Sequence, residues 1–278
     1  MKTIRKYVQE QGIEKDYKQL HYDEQLKIVL ARKKSKVDPP QVAVERVDWL
    51  YLYIMYRNEL KFLINSHQKN TMAKKLNHIC QRDAFSDADG GYLISSLYFD
   101  DYHQNALVDK LIGIKDRKKF RIRVYDSRFD VIKLERKIKR NTVTQKSHLQ
   151  ISKEEYDSLV SGDASFLQHK DDPVARDFYL NYQTMNLRPK VVVEYRREAY
   201  VYKYGDVRIT FDHFLKAGIF QKDLFSSGYM IPAIPQRQII LEVKYTGYFP
   251  DVIRNLIQVN SLQWQALSKY ALCCMVGM

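Results

Sequence analysis

Eight stretches of the chain carry strand patterns, at 57–64, 93–100, 118–126, 131–139, 143–151, 190–204, 206–213 and 237–245. In most of them apolar and charged residues alternate one by one, which places one kind on each face of a strand. Several of these stretches follow one another with only short turns, which predicts antiparallel hairpins. Between them the apolar spacing switches toward the helical period and predicts helices over 66–81, 103–111, 153–161, 173–187, 249–259 and 263–275. Ser152 with Glu155 makes a capping box for the third helix, and Pro173 suits the first turn of the fourth. There is no internal repeat, low-complexity tract or long linker after residue 54, so the pattern predicts one α+β domain over 55–278.

The polar faces of the strands are charged rather than merely polar. In KFRIRVY, Lys119, Arg121 and Arg123 share a face opposite Phe120, Ile122 and Val124. In VIKLERKIK, Lys133, Glu135, Lys137 and Lys139 oppose Ile132, Leu134 and Ile138. Thr144, Lys146 and His148 align, as do Tyr195 with Arg197, Arg208 with Thr210 and Asp212, Glu242 with Lys244, and Arg57 with Glu59 and Lys61. A charged strand face is ordinarily the solvated side of an antiparallel sheet. Here it recurs in most strands, while the apolar faces are continuous enough to need cover from helices. The expected architecture is therefore a closed antiparallel β-barrel with a charged lumen, surrounded by helices. Two like charges about 4 Å apart repel by roughly 4 kcal/mol at an effective dielectric near 20. A lumen so rich in cations needs water, carboxylates or a bound polyanion, and phosphate suits the planar fork of Arg and the point charge of Lys.

Composition points the same way. Among 278 residues, 46 Lys and Arg stand against 33 Asp and Glu, a net charge of +13. That balance implies an anionic partner: nucleic acid, lipid or polyphosphate. Tyrosine is abundant, but no RNP, zinc-finger or helix-turn-helix pattern accompanies it, so no nucleic-acid partner is expected. Cys80, Cys273 and Cys274 have no metal-ligand spacing and make no disulfide framework, and the histidines form no triad. The beginning of the chain lacks a signal-peptide core, and the apolar run Trp49–Tyr56 is too short to span a bilayer. A cytoplasmic protein without a membrane segment of its own is expected, with a separate membrane protein as a conceivable partner. Residues 1–54 differ from the rest: they are charged, contain Arg32, Lys33 and Lys34, and end beyond Pro39 and Pro40. They read as an N-terminal extension, helical in part, or as a misassigned start ahead of Met55.

Taken in order, RNELK, SLYFDD, KFRIRVY, KLERKIK, the Lys146 strand, EYRREAYV, VRITFD, ILEVKY and the terminal LSKY resemble the polyphosphate polymerase domain of the vacuolar transporter chaperone (VTC) complex. The match is closest to its bacterial stand-alone relatives, within the triphosphate tunnel metalloenzymes. The resemblance covers Tyr56 to Tyr270; no single motif is specific, but nine in order are. It implies that Lys61, Arg121, Arg123, Lys137 and Lys146 bind phosphate, that Tyr195 and Arg197 form the Tyr-x-Arg element, and that Arg208 follows on the next strand. Glu242 matches the metal-binding glutamate, and Ser268 with Lys269 matches a Ser-Lys pair beside the tunnel. The superfamily's ExExK opening reads Arg57-Asn58-Glu59-Leu60-Lys61 here, so one carboxylate is missing and Glu59 is a tentative second metal contact.

The resemblance implies a metal-dependent phosphotransferase. It would move the γ-phosphoryl of ATP onto a growing inorganic polyphosphate chain, with Mn²⁺ or Mg²⁺ held by Glu242. Arg121, Arg123, Arg197 and Arg208 would neutralise the phosphates during transfer. Two alternatives use the same fold: a tripolyphosphatase or nucleoside triphosphatase, in which water is the acceptor, and a non-catalytic polyphosphate-binding module. Glu135 reads as an ion-pair partner for Lys133 and Lys137, which flank it on its own face. Lys244 reads equally well as a partner of Glu242 or as a phosphate ligand.

Overall fold

The structure is a computed structural model that describes residues 57–276 apart from 129, 141–142, 227 and 259–260. The extension expected over 1–54 lies outside the described residues. Among the described residues ten strands form one antiparallel sheet: β1 (Arg57–Asn65), β2 (Gln81–Arg82), β3 (Tyr92–Asp100), β4 (Arg117–Tyr125), β5 (Ile132–Arg140), β6 (Val143–Ile151), β7 (Arg188–Tyr202), β8 (Val207–Gly218), β9 (Ile231–Pro232) and β10 (Gln238–Thr246). The main path runs β1-β10-β8-β7-β3-β4-β5-β6, with β2 added to β7 and β9 to β8. Among the described residues six α-helices accompany it: α1 (Ser66–Leu76), α2 (Asn105–Leu111), α3 (Lys153–Ser161), α4 (Pro173–Thr184), α5 (Asp251–Leu256) and α6 (Lys269–Cys274).

The strand alternation sorts side chains onto two faces. On the convex face, Leu97, Phe99, Phe120, Ile122, Ile132 and Leu134 bury themselves against α3 and α4. Further along the same face, Phe62, Ile209, Phe211, Leu241 and Val243 pack under α1 and α5. The capping box of Ser152 and Glu155 starts α3, and Gly162 ends it in the left-handed conformation at φ 99°. Asp172 caps α4, with Pro173 in its first turn. An unpredicted capping box of Asn65 and Gln68 makes the sharp passage from β1 into α1.

The sheet curls. Lys137 of β5 reaches Glu59 of β1 at 3.8 Å, although these strands lie near opposite ends of the pairing order. The expected closure of the barrel is nevertheless not found: among the described residues no ladder joins β6 to β1. The sheet is a deep trough whose rims face each other through side chains. Its concave face has two zones. One carries the charged side chains. The other is apolar, with Ile94, Tyr98, Val191, Val193, Leu215, Ala217 and Ile240 buried together with Tyr270, Ala271 and Cys273 of α6. The continuous charged lining expected from alternation is therefore interrupted where α6 lies against the sheet.

Two other differences have local causes. β8 continues past residue 213 because Phe214, at φ 53°, inserts one residue into the ladder with β7. That bulge shifts the alternation, so Arg208, Thr210 and Asp212 share the concave face with Leu215 and Ala217. The helix expected over 263–275 begins only at Lys269, because Trp264 pairs with Phe62 on the free edge of β1. Among the described residues no helix is long and apolar enough to cross a membrane.

Phe178 shows how the convex core is held. It is fully buried on α4 and meets Phe99 and Phe120 edge-on, with ring centroids 5.0 and 5.2 Å away. Phe178→Ala should lower the free energy of unfolding by about 3–5 kcal/mol, read from urea denaturation; a loss below about 1 kcal/mol would mean that α4 does not seal this face.

Candidate functional site

The charged zone is built from pairs of neighbouring strands. In the β1–β10 ladder Lys61 stands opposite Glu242 and Glu59 opposite Lys244; in the next ladder Glu242 stands opposite Thr210. Arg197 of β7 faces Asp212 of β8. On the other wall Tyr98, Arg121, Glu135 and His148 follow in register across β3 to β6.

Asp212 is the centre of one cluster. It is 0% exposed. Arg197 grips it with two hydrogen bonds, Nε to Oδ1 at 2.6 Å and Nη2 to Oδ2 at 2.8 Å, and Lys269 Nζ approaches Oδ2 at 2.5 Å. Burial alone would raise the Asp212 carboxyl; the charges of Arg197 and Lys269 outweigh it and hold the group below the usual carboxylate range. Glu242, 4% exposed, lies beside them. Its Oε1 is 2.5 Å from Lys244 Nζ, and its Oε2 is 3.7 Å from Lys269 and 3.8 Å from Arg197. Against burial, Lys244, Lys61 and Lys269 hold it well below its ordinary value. Lys269 opposes burial in the other direction: Asp212 and Glu242 keep it charged.

Glu135 is the centre of the second cluster and is 2% exposed. Arg121 Nε donates to its Oε2 at 2.6 Å, Lys146 Nζ lies 2.5 Å from Oε1, and Arg123 approaches at 4.0 Å. These charges overcome burial and bring the carboxyl down to about 2. The resulting contribution to stability is present above the ordinary carboxylate pKa and is lost as pH falls toward 2. Arg121 also donates to the Tyr98 hydroxyl at 2.7 Å. The ion-pair role expected for Glu135 holds, but its partners are Arg121 and Lys146 on the adjoining strands rather than Lys133 and Lys137 on its own. Arg121 stands directly across the ladder from Glu135, where side chains sit closer than residues two apart along one strand, and Lys146 reaches it diagonally from β6.

Tyr195 joins the clusters. Its hydroxyl accepts from Arg123 Nη2 at 3.4 Å, while Arg197 and Lys269 lie over its ring at 5.3 and 4.9 Å from the centroid. The nearby Arg197 and Arg123 charges outweigh burial and hold its phenol below the usual value. Toward the rims, Lys61 pairs with Glu59 at 2.7 Å and donates to the Leu267 carbonyl at 3.3 Å. Arg208 is held by Asp83 and by the Tyr92 hydroxyl, 3.0 Å away. Loss of hydration, reinforced by Lys61 and Lys244 and partly offset by Glu59, pushes the Lys137 ammonium down to about 8. The Ser268 hydroxyl accepts from Ala271 N at 3.4 Å as the N-cap of α6, which starts the helix that delivers Lys269.

The site thus gathers Lys61, Arg121, Arg123, Lys137, Lys146, Tyr195, Arg197, Arg208, Glu242 and Lys269 on one concave surface. Asp212 is the residue that sequence reasoning passed over. It shares the face of Arg208 and Thr210 in VRITFD, so parity had flagged its position, but only the β7–β8 register shows that it faces Arg197. Asp83 was not legible at all, because it comes from the turn after β2. In this assembly nine cations (Lys61, Arg121, Arg123, Lys137, Lys146, Arg197, Arg208, Lys244 and Lys269) meet five carboxylates (Glu59, Asp83, Glu135, Asp212 and Glu242). The surplus is positive and is packed on a partly dehydrated surface.

Among the described residues no three His, Cys, Asp or Glu side chains form a group able to hold a metal ion on their own. Glu242 still fits a divalent ion shared with phosphate. Mg²⁺ and Mn²⁺ favour oxygen donors, and Mg²⁺ is commonly held by one or two carboxylates plus substrate phosphates. Beside Glu242 in register, the buried Thr210 hydroxyl has no hydrogen-bond partner among the described residues.

A family model described as the VTC domain matches residues 56–276. No curated protein matches the sequence. Among solved structures, similarity extends to a provisionally assigned adenylate cyclase from Bacillus halodurans, at 13% identity and TM-score 0.44, covering 73% of this chain and 86% of that one. A provisionally assigned adenylyl cyclase from Hippeastrum, described as having a dominant triphosphatase activity, is 10% identical with TM-score 0.48, covering 80% and 96%. A provisionally assigned adenylate cyclase from Vibrio parahaemolyticus is 11% identical with TM-score 0.42, covering 78% and 97%.

Two outcomes follow from this geometry. Asp212→Asn leaves Arg197 and Lys269 buried without their shared counter-charge and should destabilise the protein by about 3–5 kcal/mol in urea unfolding; an unchanged midpoint would remove Asp212 from the centre of the site. As pH rises from 7 to 9, the wild type should lose affinity for tripolyphosphate faster than Lys137→Arg, which stays charged. Parallel curves from titration calorimetry would show that Lys137 does not touch the ligand.

Proposed function

The chain belongs to the VTC domain family, and from that premise we propose that it is a metal-dependent phosphotransferase that extends inorganic polyphosphate from ATP. The observation that carries this reading is the surplus of ordered cations on the concave face, with Arg123 and Arg197 buried at its centre and Lys137 and Lys146 open to solvent toward its rims. They are too numerous for their carboxylates and are fixed in two clusters on opposite walls. Such a surface fits a linear polyanion lying along the trough, with Arg121, Arg123 and Lys146 on one side and Lys61, Arg197, Arg208 and Lys269 on the other. The trough would then serve as a tunnel around the chain, its rims bridged as Lys137 and Glu59 already bridge them.

In the proposed reaction a terminal oxygen of polyphosphate attacks the γ-phosphorus of ATP, the bond to the β–γ bridging oxygen breaks, and ADP leaves. Both reactants are anions, so bringing them into line is the main electrostatic barrier, and positioning with charge neutralisation supplies most of the catalysis. Arg197 and Lys269 are pre-oriented by Asp212, and Arg121 by Glu135 and Tyr98, so these groups need little reorganisation as charge redistributes. Glu242, with Thr210 beside it, would hold Mg²⁺ or Mn²⁺, whose positive charge would help neutralise the phosphates. Glu59 serves in this reading as the counter-ion of Lys61 and Lys137. Ser268 acts through the placement of Lys269. The reading implies a cytoplasmic supply of ATP and a separate membrane protein if the product is to leave the compartment.

Incubating the protein with ATP and Mn²⁺ or Mg²⁺, and resolving phosphate products by length on a gel, tests the reading. A ladder of long chains is expected; orthophosphate alone would make the protein a hydrolase, and bound polyphosphate without turnover would make it a binding module. Glu242→Gln should lower turnover by at least about 100-fold while polyphosphate binding persists. Normal turnover in that variant would remove Glu242 from the metal site.

A further inference from the structure

Four aliphatic side chains stand out from the surface within seven consecutive residues. Val108 is 41% exposed, Leu111 56%, Ile112 67% and Ile114 42%. They lie at the end of α2 and in the turn that leads into β4. Buried Leu107 fastens α2 to the core beneath α6. Gly113 takes φ 82°, and a Cβ placed on it would meet nothing within 4 Å, so the turn projects clear of the rest of the fold. Exposed aliphatic residues scattered singly need no explanation, but a cluster on one projecting turn marks a contact surface.

The surroundings of the turn say what the contact is. Lys110, Lys115 and Arg117 come from the same segment, and Lys139 stands opposite Arg117 in the β4–β5 ladder. Burial pushes the Lys110 ammonium below its usual value, and the charges of Arg117, Lys61 and Lys139 push it further. Cations therefore crowd this end of the sheet beyond what Asp109 and Asp116 offset. An apolar tip ringed by Lys and Arg is complementary to an anionic bilayer surface: the aliphatic groups enter the interfacial region while the cations face lipid phosphates. A second copy of the chain fits less well, since an isologous contact would set one basic ring against another.

We propose that the α2–β4 turn docks the protein on an anionic lipid surface, with Leu111 and Ile112 inserted and Lys115, Arg117 and Lys139 on the headgroup phosphates. Lys119 and Lys139 belong to the concave face at the same strand ends, so docking brings this end of the trough to the membrane. The contact is independent of the reaction proposed above.

The test is cosedimentation of the full chain with vesicles of phosphatidylcholine alone or mixed with phosphatidylglycerol, at about 0.1 M salt, where attraction between separated exposed charges is largely screened. Binding to the mixed vesicles only is expected. Leu111→Ser with Ile112→Ser keeps every charge and should weaken that binding at least about tenfold. The proposal is overturned if the wild type stays in the supernatant, or if the double variant binds as the wild type does, which would be adsorption by net charge alone. It is equally overturned if the substitutions leave vesicle binding intact and instead turn a dimer into a monomer in sedimentation.

Discussion

The buried carboxylate of Asp212 is the contact on which the rest of the site depends. It holds Arg197 through two hydrogen bonds and Lys269 through an ion pair, and it joins a strand to a helix from the far end of the chain. Taking these three charges out of water is expensive, and the geometry offsets that only because the carboxylate's oxygens are occupied by cations. What the clamp provides is placement. Lys269 begins α6, so fixing Lys269 also fixes the helix whose Tyr270, Ala271 and Cys273 cover the apolar zone of the trough. Arg197 and Lys269 in turn sit over Tyr195, whose hydroxyl reaches Arg123 on the opposite cluster. One acid therefore organises cations contributed by β4, β7 and α6.

Glu135 plays the corresponding part on the other wall, with Arg121 and Lys146 as its partners. The two acids differ from Glu59, which is partly exposed and pairs at the rim. This gradient, from enclosed counter-ions at the centre to solvated ones at the rim, explains why the cations stay ordered without being neutralised. Lys137 shows the residual strain most plainly, its ammonium pushed to about 8 by lost hydration and by its cationic neighbours. Phosphate oxygens would supply the charge such a surface lacks.

Much of this was legible in the amino-acid order, and the rest was not, for definite reasons. Alternation located every long strand and placed Lys61, Arg121, Arg123, Lys137, Lys146, Arg208 and Glu242 each on the charged face of its own strand, because side-chain direction in a strand follows residue parity. Parity says nothing about which strands adjoin, so the Arg197–Asp212 clamp and the partners of Glu135 waited on the register. It also fails at a bulge: Phe214 shifts the phase of β8, and only the backbone reveals it. Helix periodicity overran the start of α6, because Trp264 takes a strand contact with Phe62 that local propensity cannot foresee. Closure into a barrel was argued from the need to cover apolar faces. The convex helices meet that need alone, and α6 covers the apolar part of the concave face.

If the concave face is built for a chain of phosphates, filling it must stabilise the fold. Equilibrium unfolding of the wild type, with and without tripolyphosphate and at two ionic strengths, tests it most directly. A ligand that fills the trough stabilises the folded state by RT ln(1 + [L]/Kd), about 2.7 kcal/mol at a hundredfold excess over Kd, and the gain should shrink as salt screens the contact. Stability indifferent to tripolyphosphate, or a gain unchanged by salt, would mean that the concave face does not hold a phosphate chain.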